Sequence, residues 1–155
     1  MNSAGNTISK GDLPRSIEDV AHRIIGYAIE VHRELGPRLL EKLYEDALVY
    51  ELECASLVVA RQVEIVLPYK NTQLRGQRLD LMVENQIIIE LKAISQVTDF
   101  HKSQLLSYLR AARLPLGLLL NFNVTMLKNG LTRIINERSI PASSSRSSRP
   151  SRSRD

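Results

Sequence analysis

Ile87-Ile88-Ile89-Glu90-Leu91-Lys92-Ala93-Ile94 decides the fold of this chain. A near-continuous Ile/Leu run is the pattern of a strand covered on both faces, as at the centre of an α/β sheet. The run nevertheless carries a carboxylate and an ammonium two residues apart. Side chains alternate along a strand, so Glu90 and Lys92 point to the same side. Charges in such a strand cost several kcal/mol each unless something compensates them. That placement suggests a site, and Asp80 lies on the preceding strand candidate, close enough to join it.

Working outward, residues 77–83 run into the 87–94 strand through a short polar turn around Asn85. The register of this hairpin bears on function. A two-residue loop pairs Asp80 near Leu91 and turns it away from Glu90. A three-residue loop, residues 84–86, sets Asp80 opposite Glu90 on one face. A shared site requires the second arrangement or a bulge. Residues 62–68, rich in β-branched side chains, form an earlier strand.

Before the strands, Ser16 is placed as an N-cap with Asp19 three residues on. Ile17, Val20, Ile24, Ala28, Val31 and Leu35 then recur at helical spacing, and Gly36-Pro37 ends that helix. A second helix is expected over residues 39–54, with Leu40, Leu43, Ala47 and Tyr50 on its apolar face. After the hairpin, Thr98 or Asp99 caps a helix over residues 100–112. Residues 116–122 form a second wholly apolar strand, parallel to the Glu90 strand across that crossover helix, and 131–136 a last short one. The order α-α-β-β-β-α-β is an α/β domain with a mixed sheet flanked by helices.

The 155 residues, 43% of them hydrophobic, support one domain with a real core, expected over 16–140. Residues 1–15 read as a flexible segment without a signal peptide, and no run is long enough for a membrane span. The lone Cys54 excludes an internal disulfide, fits a reducing cytoplasmic setting, and is expected to fill core space. The net charge of +4 is concentrated in residues 141–155, where four arginines against Asp155 give +3. The body then holds 17 basic and 16 acidic residues, close to neutral. The Arg/Ser tail is expected to be disordered, either adding non-specific affinity for nucleic acid or simply solvated.

The pattern D-x9-E-x-K carries the chemistry. Two close carboxylates, Asp80 and Glu90, suit a hard divalent cation such as Mg²⁺. Such a cation polarises a phosphoryl oxygen and lowers the pKa of a bound water. Lys92 beside it orients the water or offsets transition-state charge. The alternative is a plain cross-strand salt bridge between Lys92 and Asp80. Glu41 and Tyr44, three apart on the second helix, bring in a third carboxylate or are an ordinary helix surface. Gln104 and Tyr108, four apart on the later helix, bind phosphate or orient water, or simply edge an amphipathic helix. With two Phe, five Tyr and no Trp, a stacking row for single strands is not suggested.

Leu35-Gly36-Pro37-Arg38-Leu39-Leu40-Glu41-Lys42-Leu43-Tyr44-Glu45 and Arg78-Leu79-Asp80-Leu81 come first along the chain. Ile89-Glu90-Leu91-Lys92-Ala93, Gln104-Leu105-Leu106-Ser107-Tyr108-Leu109 and Leu119-Leu120-Asn121-Phe122 follow. In that order, these stretches resemble the GxxExxY family, a small-domain branch of the PD-(D/E)XK nuclease-like superfamily. The likeness spans about residues 17 to 136. It implies a restriction-endonuclease-like core, a Mg²⁺ cofactor with Mn²⁺ as substitute, and Asp80 and Glu90 as ligands with the Leu91 carbonyl. It makes Lys92 the catalytic lysine and Glu41, Tyr44 and Gln104 family positions. His32 also matches a family position, or is structural. Arg38 replaces the glycine of the naming motif, where glycine permits a positive backbone dihedral; arginine fits if the local turn is helical.

Together these readings give a Mg²⁺-dependent nuclease, acting on DNA in preference to RNA. The rivals are a silent nucleic-acid-binding module and a protein-interaction module on the same fold. The near-neutral body calls for a homodimer or a protein partner to supply grip on the substrate.

Overall fold

A computed structural model describes residues 13–141. The expected N-terminal segment and Arg/Ser tail therefore lie almost wholly outside the described residues. The order is α1 (Arg15–Leu35), α2 (Glu41–Cys54), β1 (Val59–Tyr69), β2 (Thr72–Val83) and β3 (Ile87–Lys92), then α3 (Asp99–Ala112), β4 (Leu116–Asn121) and β5 (Leu131–Ile135). One sheet runs β1-β2-β3-β4-β5. β3 and β4 are parallel across the α3 crossover, and the other pairs are antiparallel. This is the α/β architecture expected from the two apolar strands. Among the described residues no helix is long and apolar enough to cross a membrane.

Both faces of β3 are covered, as its composition requires. Ile87, Ile89 and Leu91 pack with Ile24 and Val31 of α1 and Leu48 and Leu52 of α2. Ile88 packs with Leu105, Tyr108 and Leu109 of α3. A Cβ at Gly117 would lie 2.9 Å from Leu105, so the bare backbone of β4 lets α3 settle closely. Glu18 and Arg133 join α1 to β5 through two hydrogen bonds of 2.6 and 3.0 Å.

Several local expectations are corrected. Ser16 is not the N-cap: α1 starts two residues earlier than that cap implies, at Arg15 behind Pro14, whose carbonyl accepts from Ile17 N and Glu18 N. Proline has a helix-compatible φ and no N–H to satisfy, so it can precede a helix without a side-chain cap. The apolar face expected of α2 is the wrong one. Leu40 and Tyr50 are 76% and 67% exposed, while Tyr44, Leu48 and Leu52 are fully buried. Both stripes have helical spacing. The second prevails because the Tyr44 ring stacks on Phe122 at 4.4 Å and its hydroxyl finds backbone partners. Cys54, expected in the core, is exposed at the end of this helix. β1 and β2 are longer than expected, closing on the Lys70-Asn71 turn with Tyr69 opposite Thr72. At the start of α3, Thr98 is the residue that forms the capping box, with His101.

The Gly36-Pro37 stop holds: Gly36 has φ +70 and donates to the His32 carbonyl at 2.8 Å. Two residues on, Arg38 has φ +73, so the turn is left-handed and not helical. An arginine there bears strain that glycine avoids, which accounts physically for glycine in the motif. Arg38→Gly should therefore stabilise the fold by about 0.5–1 kcal/mol, after the extra unfolded-state entropy of glycine. Urea unfolding of the two chains measures it, and a lower midpoint for the glycine variant would contradict the strain argument.

Candidate active site

The site is built where β2 parts from both of its neighbours. The β2–β3 ladder pairs Val83 with Ile87, Met82 with Ile88 and Leu81 with Ile89, then stops. The next pair would be Asp80 and Glu90. The loop is therefore the three-residue form, residues 84–86, closed by Gln86 N donating to the Val83 carbonyl. Glu84 and Asn85 both take φ +53 in it. The expected register is found. On the other side, β1 pairs Arg61 with Leu81 and Val63 with Leu79 but leaves out Gln62, which has φ +50 opposite Asp80.

Side chains take over from the missing ladder. Asp80 N donates to Glu90 Oε1 at 2.9 Å, and Leu91 N donates to Asp80 Oδ2 at 2.9 Å. Each carboxyl group so spends one oxygen on the opposite backbone, and these bonds fix both groups. The change of pairing also turns β2 over. Leu79 lies in the α3-side core, whereas Leu81 and Val83 lie in the α1/α2-side core.

Burial shapes the electrostatics. Desolvation, with the negative charge of Asp80 next, pushes the Glu90 carboxyl up to about 8. Asp80 is also raised, first by burial and then by Glu45, against the Leu91 N–H and the cation of Lys92. Glu41 at the start of α2 is raised by burial and then by Asp80, and it too feels Lys92. The structure thus brings Asp80, Glu90, Glu41 and Lys92 within electrostatic range. Lys92 makes no salt bridge, so the expected alternative of a Lys92–Asp80 pair is not formed among the described residues.

The remaining expected residues take different places. Tyr44 is wholly buried: its hydroxyl donates to the Gly36 carbonyl at 2.5 Å and accepts from Leu39 N at 3.1 Å. It sets the turn that delivers Glu41, while Arg38 stands exposed in that turn. His32 Nε2 donates to the Val124 carbonyl at 2.8 Å, tying α1 to the loop after β4. Tyr108 lies under the sheet with Leu79 and Ile88, and burial pushes the pKa of its hydroxyl above the ordinary value. Gln104, one turn before it, lines a cleft beside the site.

Three residues escaped the sequence reading. Glu45 is buried, bonds Gln62 Nε2 at 2.7 Å and pairs with Arg61 at 2.8 Å. Its signal was available, since Glu41 and Glu45 are four apart on one helix. Gln62 also bonds Asp80, joining α2 to the site. Asn121, paired in register with Lys92, clasps the chain just beyond it: Oδ1 accepts from Ile94 N at 3.1 Å and Nδ2 donates to the Ile94 carbonyl at 3.0 Å. Phe122 N donates to the Lys92 carbonyl at 2.8 Å. This clasp fixes where the lysine leaves the sheet. No spacing rule points to it, because it depends on the parallel register of β3 and β4.

Hard oxygen donors whose ionised form is disfavoured by burial and by one another fit a divalent cation, which would compensate that charge. Among the described residues no three or more His, Cys, Asp or Glu side chains are closed into a metal cage. The arrangement is a charged recess that a cation would complete.

An α/β sheet with two acids held across parted strands and a lysine two residues past the second is the architecture of a metal-assisted nuclease core. The chain belongs to the PD-(D/E)XK nuclease superfamily, whose family model matches residues 18–134. No curated protein matches the chain. No solved structure matches it either. Nucleases of this superfamily generally use divalent metals, and membership implies a nucleic-acid substrate.

The folded chain holds a proton on Glu90 up to about pH 8, whereas an ordinary glutamate loses it near 4.5. Without metal, this group's stabilisation is therefore fully present below about pH 4.5 and is lost as pH rises through 8. The slope should reach up to about 1.4 kcal/mol per pH unit. Glu90→Gln keeps the acceptor for Asp80 N and should flatten the slope, as should a saturating divalent cation. Denaturant unfolding between pH 5 and 9 checks both.

Proposed function

We propose that this chain is a nuclease of the GxxExxY branch, hydrolysing phosphodiester bonds of DNA in preference to RNA. The observation that carries the reading is the crossed pair of bonds in which Glu90 accepts from the Asp80 amide and Asp80 accepts from the Leu91 amide. It holds two ionisable carboxylates side by side in a recess that also faces Lys92 and Glu41. Mg²⁺, with Mn²⁺ as substitute, would be held by Asp80, Glu90 and the Leu91 carbonyl, assisted by Glu41. It would supply charge neutralisation and an acidified water.

The chain's own residues do the rest. Lys92, directed by the Asn121 clasp, orients the attacking water and offsets charge on the phosphoryl oxygens. Water oxygen bonds to phosphorus as the bond to the leaving oxygen breaks; the water gives up a proton to solvent, and the leaving oxygen takes one from solvent to depart as a hydroxyl. Glu45, Gln62 and Arg61 anchor α2 to the edge of the site, and Tyr44 holds the turn that aims Glu41. Gln104 contacts the substrate strand. A homodimer belongs to the same reading: cutting both strands takes two sites, and exposed Leu40, Leu43 and Tyr50 leave apolar surface on α2 for a second copy.

The test is cleavage of supercoiled plasmid and of labelled DNA and RNA strands, with Mg²⁺, Mn²⁺ or EDTA. Cleavage should require the metal and fall by at least about 10³-fold in Asp80→Ala and Lys92→Ala. Calorimetry should show metal binding lost in Asp80→Ala and kept in Lys92→Ala. Metal-independent binding of DNA with no cleavage would replace this reading by the silent binding module.

A further inference from the structure

Beside the acid–lysine recess, a cleft of about 330 Å³ opens between α3 and the β1–β2 hairpin. Ile65, Leu67 and the ring of Phe100 give it apolar walls, and Gln77, Gln104 and Tyr108 give it polar groups. No charged side chain lines it. A phosphate or a cation would find no counter-charge there. The lining suits a neutral ligand with a flat apolar face and a hydrogen-bonding edge.

Two further observations narrow the occupant. Phe100 is 69% exposed, a large ring left open in the first turn of α3. One helical turn on, the Gln104 amide has no hydrogen-bond partner among the described residues. Gln77 spends one N–H on the Tyr108 hydroxyl at 2.5 Å and keeps its amide oxygen for a ligand. The cleft also adjoins the chemistry. Gln77 is three residues from Asp80 on β2, and Tyr108 packs with Leu79 and Ile88, the neighbours of the acid pair.

We propose that this cleft receives one unpaired nucleobase of the substrate, stacked on Phe100 and read at its edge by Gln77 and Gln104. This rests on the nuclease reading above and deepens it by naming a substrate class: nucleic acid with unpaired nucleotides next to the scissile bond. A base inside a duplex already has its faces stacked and its edge paired, so it cannot use the cleft without being extruded. The sequence offers no row of aromatic residues, and one ring with two amides makes one base-sized subsite.

The experiment measures binding of fluorescently labelled DNA to the full chain in EDTA, which halts metal-dependent cutting. Three probes are compared: a single strand, the same strand with its central nucleotides all lacking bases, and the paired duplex. The intact single strand should bind about tenfold or more tightly than the abasic strand, since base–aromatic stacking has that size. Phe100→Ala should abolish the difference and Phe100→Tyr should retain it; thermal melting confirms that both fold, as the ring is exposed. Equal affinity for the intact and abasic strands, or no saturation by the single strand at 100-fold the duplex concentration, overturns the proposal.

Cleavage in Mg²⁺ separates this proposal from the reading it rests on. Metal-dependent cutting without base-dependent binding removes the cleft assignment and leaves the nuclease. Base-dependent binding with no cutting under any metal removes the nuclease and leaves the cleft.

Discussion

The structure depends on one interruption. At Asp80 the backbone of β2 pairs with neither β1 nor β3, and two carboxylates supply the acceptors that carbonyls would otherwise provide. An unpaired backbone N–H buried in a sheet costs about 1–3 kcal/mol, so the gap persists only because Asp80 and Glu90 fill it. The arrangement also explains why acids sit in so apolar a strand. They satisfy the sheet with one oxygen each, Glu90 toward the Asp80 amide and Asp80 toward the Leu91 amide. Removing either acid would therefore both empty the site and orphan an amide.

Around that gap, the helices act as supports whose ends matter more than their middles. The N-terminus of α2 is set by a turn with two left-handed residues, Gly36 and Arg38, and held by the Tyr44 hydroxyl. Its next turn carries Glu45, which reaches Arg61 and Gln62 at the distorted point of β1. Beyond β3, Asn121 and Phe122 grip the chain on either side of Ala93. Buried side chain to backbone bonds of this kind hold a charged recess open against collapse. Strain at Gln62 and Arg38 fits a site over-determined by its surroundings.

Where sequence reasoning succeeded, a local rule had one solution. The three-residue loop follows from needing Asp80 and Glu90 on one face, and the parallel β3–β4 pair follows from two wholly apolar runs joined by a helix. Where it failed, two local solutions competed. On α2, Leu40/Leu43/Tyr50 and Tyr44/Leu48/Leu52 both keep helical spacing, and only the Phe122 ring on the far side of the core decides between them. Ser16 had a good cap composition, but Pro14 began the helix first. Cys54 fell on the exposed side by the same choice of α2 face.

The sequence by itself determined the doubly covered central strand, the α/β order, and Asp80, Glu90 and Lys92 as a unit, because period-two alternation and loop length act over a few residues. Tertiary structure alone decided which acids surround that unit, how Asn121 clasps the lysine strand, and that Phe100, Gln77 and Gln104 share one cleft. Those groups come from elements up to about eighty residues apart in the chain. Their meeting is set by packing of helices on the sheet, whose energy depends on the whole core and leaves no periodic trace in the sequence.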